Sequence, residues 1–139
     1  MQIIIGAFVS GMDAGRIYNS WPLMGSSYFP NDSSYFDLFK LSAFDEPSLV
    51  QFIHRNLAYF IVLYYLYILA CIYKRKLFSL YLPIKLIGSF LLIQIILGIF
   101  TLLYGAQIIL ASMHQISSIF LVSSCIYFLF LNSKPNLQP

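Results

Sequence analysis

From Leu86 to Ser133 the chain has no aspartate, glutamate, lysine or arginine. Charged residues make up 9% of the whole, against roughly 25% in ordinary soluble domains. That scarcity excludes a solvated globular fold and leaves no basic surface for nucleic acid. Cysteine is nearly absent too. Cys71 and Cys125 fall late in apolar runs, with no CxxC spacing and no histidine nearby, so they read as small buried hydrophobes. The first residues, "MQIIIGAFVSGMDAG", lack a basic n-region and a small-residue cleavage site, which argues against a secretory signal. Met1 to Met12 would rise only ~18 Å as a helix, short of a bilayer core of ~30 Å. The expectation is a chain that begins inside a membrane helix, as a piece of a longer protein or an internal start would.

What is abundant is apolar. Hydrophobic residues reach 60% and aromatic ones 18%, with tyrosines gathered near the ends of the greasy runs, where rings sit at headgroup level. Three runs are long enough to cross a bilayer: Leu49 to Tyr73, Leu82 to Tyr104 and Gln107 to Leu131. They are continuous and do not alternate, so a β-barrel is a poor reading. The expected fold is an all-α, antiparallel integral membrane four-helix bundle with a shortened first helix. Its helices fall at about 1–14, 49–73, 82–104 and 107–131, with an outer loop at about 15–48, forming one unit over 1–139. The loop carries the turn formers Trp21-Pro22, Gly25-Ser26-Ser27 and Pro30-Asn31-Asp32. Within it, "SYFDLFKLSAF" places Tyr35, Phe36, Leu38 and Phe39 to form either a helix lying in the membrane interface or a solvated loop.

Basic residues orient the bundle. Lys74, Arg75, Lys76, Lys85 and Lys134 border one side, and Arg16, Lys40 and Arg55 the other. By the positive-inside rule the first loop is outside and the carboxyl terminus cytoplasmic. The Tyr104-Gly105-Ala106 turn is so short that the last two helices must be antiparallel neighbours. Gly6, Ser10 and Ala14, and likewise Ala111 and Gln115, recur every four residues as seams for helix approach.

The only histidines, His54 and His114, then lie at a shared depth: about five residues past Leu49 and seven past Gln107, or ~7 to 10 Å below the outer end. Ionisable residues inside spans are costly and usually functional. Zinc would want three or four ligands, and no cysteine or carboxylate shares that depth. A proton relay would want a carboxylate, and the spans have none. Haem iron takes two axial nitrogens from facing helices and an apolar slot, which these residues can supply. The bland alternative is a histidine satisfied by a helix carbonyl. Leu57, Ala58 and Ile61 share the face of His54, and Ser117, Ser118 and Leu121 that of His114. Arg55 could reach a propionate or snorkel to the headgroups. Gln94 could bond a neighbouring helix or orient a ligand, and Gln115 and Arg16 are weaker candidates.

"GAFVSGMDAGRIYNSWPLMG", "EPSLVQFIHRNLAY", "LLIQIILGIFTLLYG" and "LASMHQISSIFLV" together resemble the carboxyl-terminal half of haem A synthase, in the branch of mitochondria and related bacteria. That family is built from two similar four-helix bundles and oxidises a methyl group of haem O to the formyl group of haem A. The resemblance implies that His54 and His114 are the axial ligands of a haem b between the second and fourth helices; Arg55 and Gln115 are further cofactor contacts expected from their place beside the histidines. It also implies that the substrate haem and the catalytic glutamate belong to the other half, so stand-alone catalysis is in doubt and no catalytic residue is expected here. Some members carry an outer-loop cysteine pair, and this loop has no cysteine. Expected partners are lipid, haem, and an amino-terminal synthase half or a second copy; a farnesyltransferase producing haem O is a further one. The expected place is a bacterial inner membrane. Rival readings are a stand-alone bis-histidine b-type cytochrome and a non-functional remnant of a split or decayed gene.

Overall fold

The computed structural model describes residues 1–133, which are helical apart from turns, loops and one isolated bridge between Met24 and Ser27. Four α-helices follow in order: α1 (Gln2–Gly11), α2 (Pro47–Lys74), α3 (Tyr81–Leu103) and α4 (Ile108–Asn132). α2, α4 and the stretch Phe78–Leu103 are long and apolar enough to cross a membrane, whereas α1 is a ten-residue helix. The expected membrane helical bundle is therefore present, with shifted ends.

The ends have local causes. α2 opens on Pro47 in its first turn, where the missing N–H costs nothing and the ring presets φ. It closes where Lys76 takes a φ of 55° and the Leu77 N–H returns to the Ile72 carbonyl at 3.1 Å. α1 stops earlier than the expected residue 14. Asp13 adopts a φ of 52°, and Ala14–Arg16 forms a separate 3-10 turn. Between α3 and α4, Gly105 (φ 67°) and Ala106 (φ 55°) reverse the chain, and the Ala106 N–H closes on the Thr101 carbonyl at 2.7 Å. Lys134, one of the basic residues used to orient the bundle, lies outside the described residues.

The helices pack as two close pairs, α1 with α2 and α3 with α4, while α2 and α4 make no comparable backbone approach. Ile72, Leu80 and Ile84 form a buried cluster joined by Leu69, Phe128 and Leu131, which ties α2, α3 and α4 together at the end opposite the long loop. Elsewhere the helices present large apolar side chains outward, such as Leu63, Tyr67, Ile96 and Ile119, as a surface solvated by lipid must.

The long loop is folded down over the start of α2. Phe29 and Ala43 pack against Leu49, with Phe52 edge-on to Phe29, so Leu49 and Val50 have 0% exposure. Asp32 accepts from Tyr18 Oη at 3.1 Å and from Ser48 Oγ at 2.5 Å, and Gln51 Nε2 donates to the Tyr18 carbonyl at 3.1 Å. Burial and the Asp32 carboxylate both push the Tyr18 phenol above its ordinary value, so it remains a donor. Asn19 Nδ2 bridges the Gly15 and Leu102 carbonyls, each at 2.9 Å, which pins the loop to the last turn of α3. The segment read as an interfacial helix or a solvated loop leaves Phe36, Phe39 and Leu41 exposed. It forms two 3-10 turns, Tyr35–Phe39 and Leu41–Phe44, the first closed by a capping box between Ser34 and Asp37.

Candidate functional site

His54 lies seven residues into α2 and His114 six residues into α4. At 1.5 Å per residue both stand about 10 Å from the loop-side end of their helix. α2 and α4 run in the same direction, so the shared depth expected from the sequence is present in the fold.

Each imidazole is seated on the neighbouring helix of its own pair. A Cβ built at Gly6 of α1 would stand 3.2 Å from His54 Cε1, and one built at Gly98 of α3 would stand 3.1 Å from His114 Cε1. An alanine at either position would crowd the ring, which would have to give by a few tenths of an ångström. Each histidine's main-chain oxygen also accepts a glutamine amide: Gln2 Nε2 donates to the His54 carbonyl at 3.1 Å, and Gln94 Nε2 to the His114 carbonyl at 3.0 Å. Gln94 further bonds Ser117 Oγ, which itself donates to the His114 carbonyl at 3.1 Å. Gln2 Nε2 lies 3.4 Å from His54 Nε2 as well. Gln94 thus bonds a neighbouring helix. Gln2, Gly6 and Gly98 were not singled out beside the histidines from sequence, although the spacing of glutamine and glycine was there to be read.

Both histidines keep a buried ring nitrogen, Nδ1, with no hydrogen-bond partner in the protein. A buried polar atom without a partner costs about 1–3 kcal/mol. Those atoms lie on the Gly6 and Gly98 sides of the rings; the two half-buried imidazoles themselves, at one depth on helices that do not close on one another, are the donor pair that an iron porphyrin with two axial nitrogens takes. Among the described residues no three of histidine, cysteine, aspartate and glutamate converge on one point, so the ligand-rich cluster a structural zinc ion prefers is not formed there.

Arg55 is occupied otherwise. Its Nη1 donates to the carbonyls of Ser20 and Leu23, and its Nη2 to that of Tyr18, while Nε is buried without a partner. Gln115 is exposed on α4, and Arg16 pairs loosely with Asp13 at 3.8 Å on the surface. Cys71 and Cys125 are free thiols on different helices. A separate open cavity of about 720 Å³ between α2 and α3, lined by Tyr65, Tyr73, Lys85 and Gly88 among others, contains neither histidine.

Comparison with known proteins places this geometry. The family model described as "Cytochrome oxidase assembly protein" matches residues 1–126. The chain is 46% identical over 136 residues to the heme A synthase of Pelagibacter ubique, covering 98% of this chain and 39% of that protein. It is 40% identical over 139 residues to the heme A synthase of Rickettsia prowazekii, covering 96% of this chain and 40% of that one. The Rickettsia felis heme A synthase is 40% identical over 131 residues, with 94% and 39% covered. The chain therefore spans about two fifths of the length of these relatives. No solved structure matches it.

Proposed function

The chain belongs to the cytochrome oxidase assembly family that includes the heme A synthases, and from that premise we propose that it is the haem-binding bundle of a haem A synthase. His54 and His114 are the two axial ligands of a haem b held between α2 and α4. The observation that carries this reading is the pair of half-buried imidazoles at one depth, seven residues into α2 and six into α4.

Each residue has a part in that reading. His54 and His114 would hold the haem, Gln2 and Gln94 steady their backbones, and Gly6 and Gly98 leave room for the rings. With both axial positions taken, such a haem supplies electron transfer and offers no open position to substrate. Oxidation of the haem O methyl group then requires a second bundle with its own substrate site, provided by an amino-terminal half or a second copy. A farnesyltransferase supplies the haem O. The chain sits in a bacterial inner membrane with the long loop outside and the carboxyl terminus in the cytoplasm, as the basic residues Lys74, Arg75 and Lys76 favour.

The test is the reduced-minus-oxidised optical spectrum of the chain purified in detergent. A sharp low-spin b-type α-band is the expected result, and protein that inserts into membranes but carries no haem overturns the reading.

A further inference from the structure

The two histidine seats are alike beyond their histidines. α1 carries "QIIIGAF" from Gln2 to Phe8, and α3 carries "QIILGIF" from Gln94 to Phe100. α2 carries "HRNLAYFIV" from His54 to Val62, and α4 carries "HQISSIFLV" from His114 to Val122, with phenylalanine and valine in register. In both pairs the glutamine amide meets the histidine carbonyl, and the glycine one turn on meets the histidine ring.

Helix geometry explains why the step has this form. Side chains tilt toward the N-terminus of their helix, and carbonyls point toward its C-terminus. A histidine therefore offers its ring and its carbonyl to points about one turn apart on an antiparallel neighbour. Residues four apart on that neighbour lie on one face at a matching rise of about 6 Å. Glutamine must sit at the deeper point, because the carbonyl already serves its own helix and can accept a second donor. Glycine suits the shallower one, because the ring comes within 3.2 Å of where a Cβ would stand.

We infer that the bundle is built from two equivalent helix pairs, α1/α2 and α3/α4, and that the Gln2/Gly6 and Gln94/Gly98 steps are positioning residues that fix the planes of His54 and His114. The equivalence survives very different connections, a folded loop of some thirty-five residues in the first pair and a tight turn in the second. The seats hold each ring against rotation, so the relative orientation of the two imidazole planes is set by the protein before a metal arrives. This inference rests on the reading of the two histidines as axial ligands.

The test is electron paramagnetic resonance of the ferric, haem-loaded full chain, because the g-values of a low-spin bis-imidazole iron follow the angle between the ring planes. Gly6→Ala and Gly98→Ala should each shift the low-spin g-values and weaken haem retention by about 10-fold or more, as loss of a ligand's supporting contact does. Gly11→Ala, where an added Cβ meets nothing within 4 Å, should leave both unchanged. Gln2→Leu and Gln94→Leu keep a similar volume and remove the amide's contacts to the histidine carbonyl, the His54 ring and Ser117; they should shift the g-values too, and they carry the readout if an alanine variant fails to insert. Unchanged g-values in the variants of both seats overturn the inference, and a shift confined to one pair overturns the equivalence. A wild-type chain without a low-spin signal marks failure of the axial-ligand reading instead, and the seats then have no iron to serve.

Discussion

Arg55 on α2 donates from Nη2 to the main-chain oxygen of Tyr18 at 2.9 Å, across 37 residues of sequence. Its Nη1 reaches the carbonyls of Ser20 at 2.9 Å and Leu23 at 3.3 Å. One guanidinium thus gathers three carbonyls of the long loop and fastens them one residue beyond His54. Trp21 Nε1 to Tyr59 Oη at 3.0 Å and Tyr28 Oη to Asn56 Oδ1 at 2.5 Å extend the same seam along α2. The loop is a cover braced from the helix that carries the first histidine.

Removing that brace should loosen the cover. Hydrogen bonds to a charged donor contribute about 1.5–3 kcal/mol each, and partial exposure here reduces the sum, so Arg55→Leu should cost about 3 kcal/mol. Arg55→Lys keeps the charge but cannot span three carbonyls, and should fall between the two. Thermal unfolding and protease cutting between residues 12 and 46 measure this. Haem loss from Arg55→Leu with the loop still protected would instead assign Arg55 to a propionate.

The parts of this architecture that were legible in the sequence are those set by local composition. Three apolar runs longer than a bilayer needs predict three spans, and the structure has them at Pro47–Lys74, Phe78–Leu103 and Ile108–Asn132. The end of α1 was not legible, because Asp13 leaves the helix through a left-handed φ that polar residues only sometimes adopt. Nor was the order of the loop, which depends on bonds such as Tyr18 to Asp32 and Asn19 to Leu102 between residues far apart in sequence. The histidine pair was legible because a polar ring in a greasy helix is conspicuous. Its seats were not, because glutamine and glycine in a membrane helix are commonplace until a structure shows what they touch.

Each histidine should be separately required for a six-coordinate iron. His54→Ala and His114→Ala remove one nitrogen apiece, so the loaded protein should change from a low-spin to a high-spin spectrum, or emerge without haem. Both substitutions keep the glutamine bonds to the main chain within each pair, and His54→Ala loses only the longer 3.4 Å contact between Gln2 Nε2 and the ring. Insertion into membranes should therefore persist. Low-spin haem retained in both variants would show that the iron is held elsewhere.

The loop's capping box predicts a pH response outside the membrane. The hydrogen bond from Lys40 Nζ at 2.8 Å, and then the bond from the Ser34 N–H at 3.0 Å, hold the Asp37 carboxyl below its usual range. A depressed folded value means that the cap is fully present above the unfolded carboxylate value of about 3.9 and is lost as pH falls through the lower folded one. Amide exchange at Tyr35–Phe39 should be unchanged from pH 7 to 5 and, after correction for intrinsic exchange, accelerate below about pH 4. Asp37→Asn should accelerate it at neutral pH and abolish the dependence; a dependence that survives in this variant would place the titrating group elsewhere.

Orientation can be read from thiol access. Glu46 and Arg75 are exposed at opposite ends of α2, and the basic cluster around Arg75 should lie in the cytoplasm. With Cys71 and Cys125 replaced by serine, Glu46→Cys should react with a membrane-impermeant maleimide in intact spheroplasts, and Arg75→Cys only after lysis. The reverse pattern would put the braced loop, and the histidines about 10 Å beneath it, on the cytoplasmic side. A haem held there would exchange electrons with cytoplasmic donors, whereas the expected pattern places it within reach of the outer face, where a partner bundle with the same topology would present its own haem.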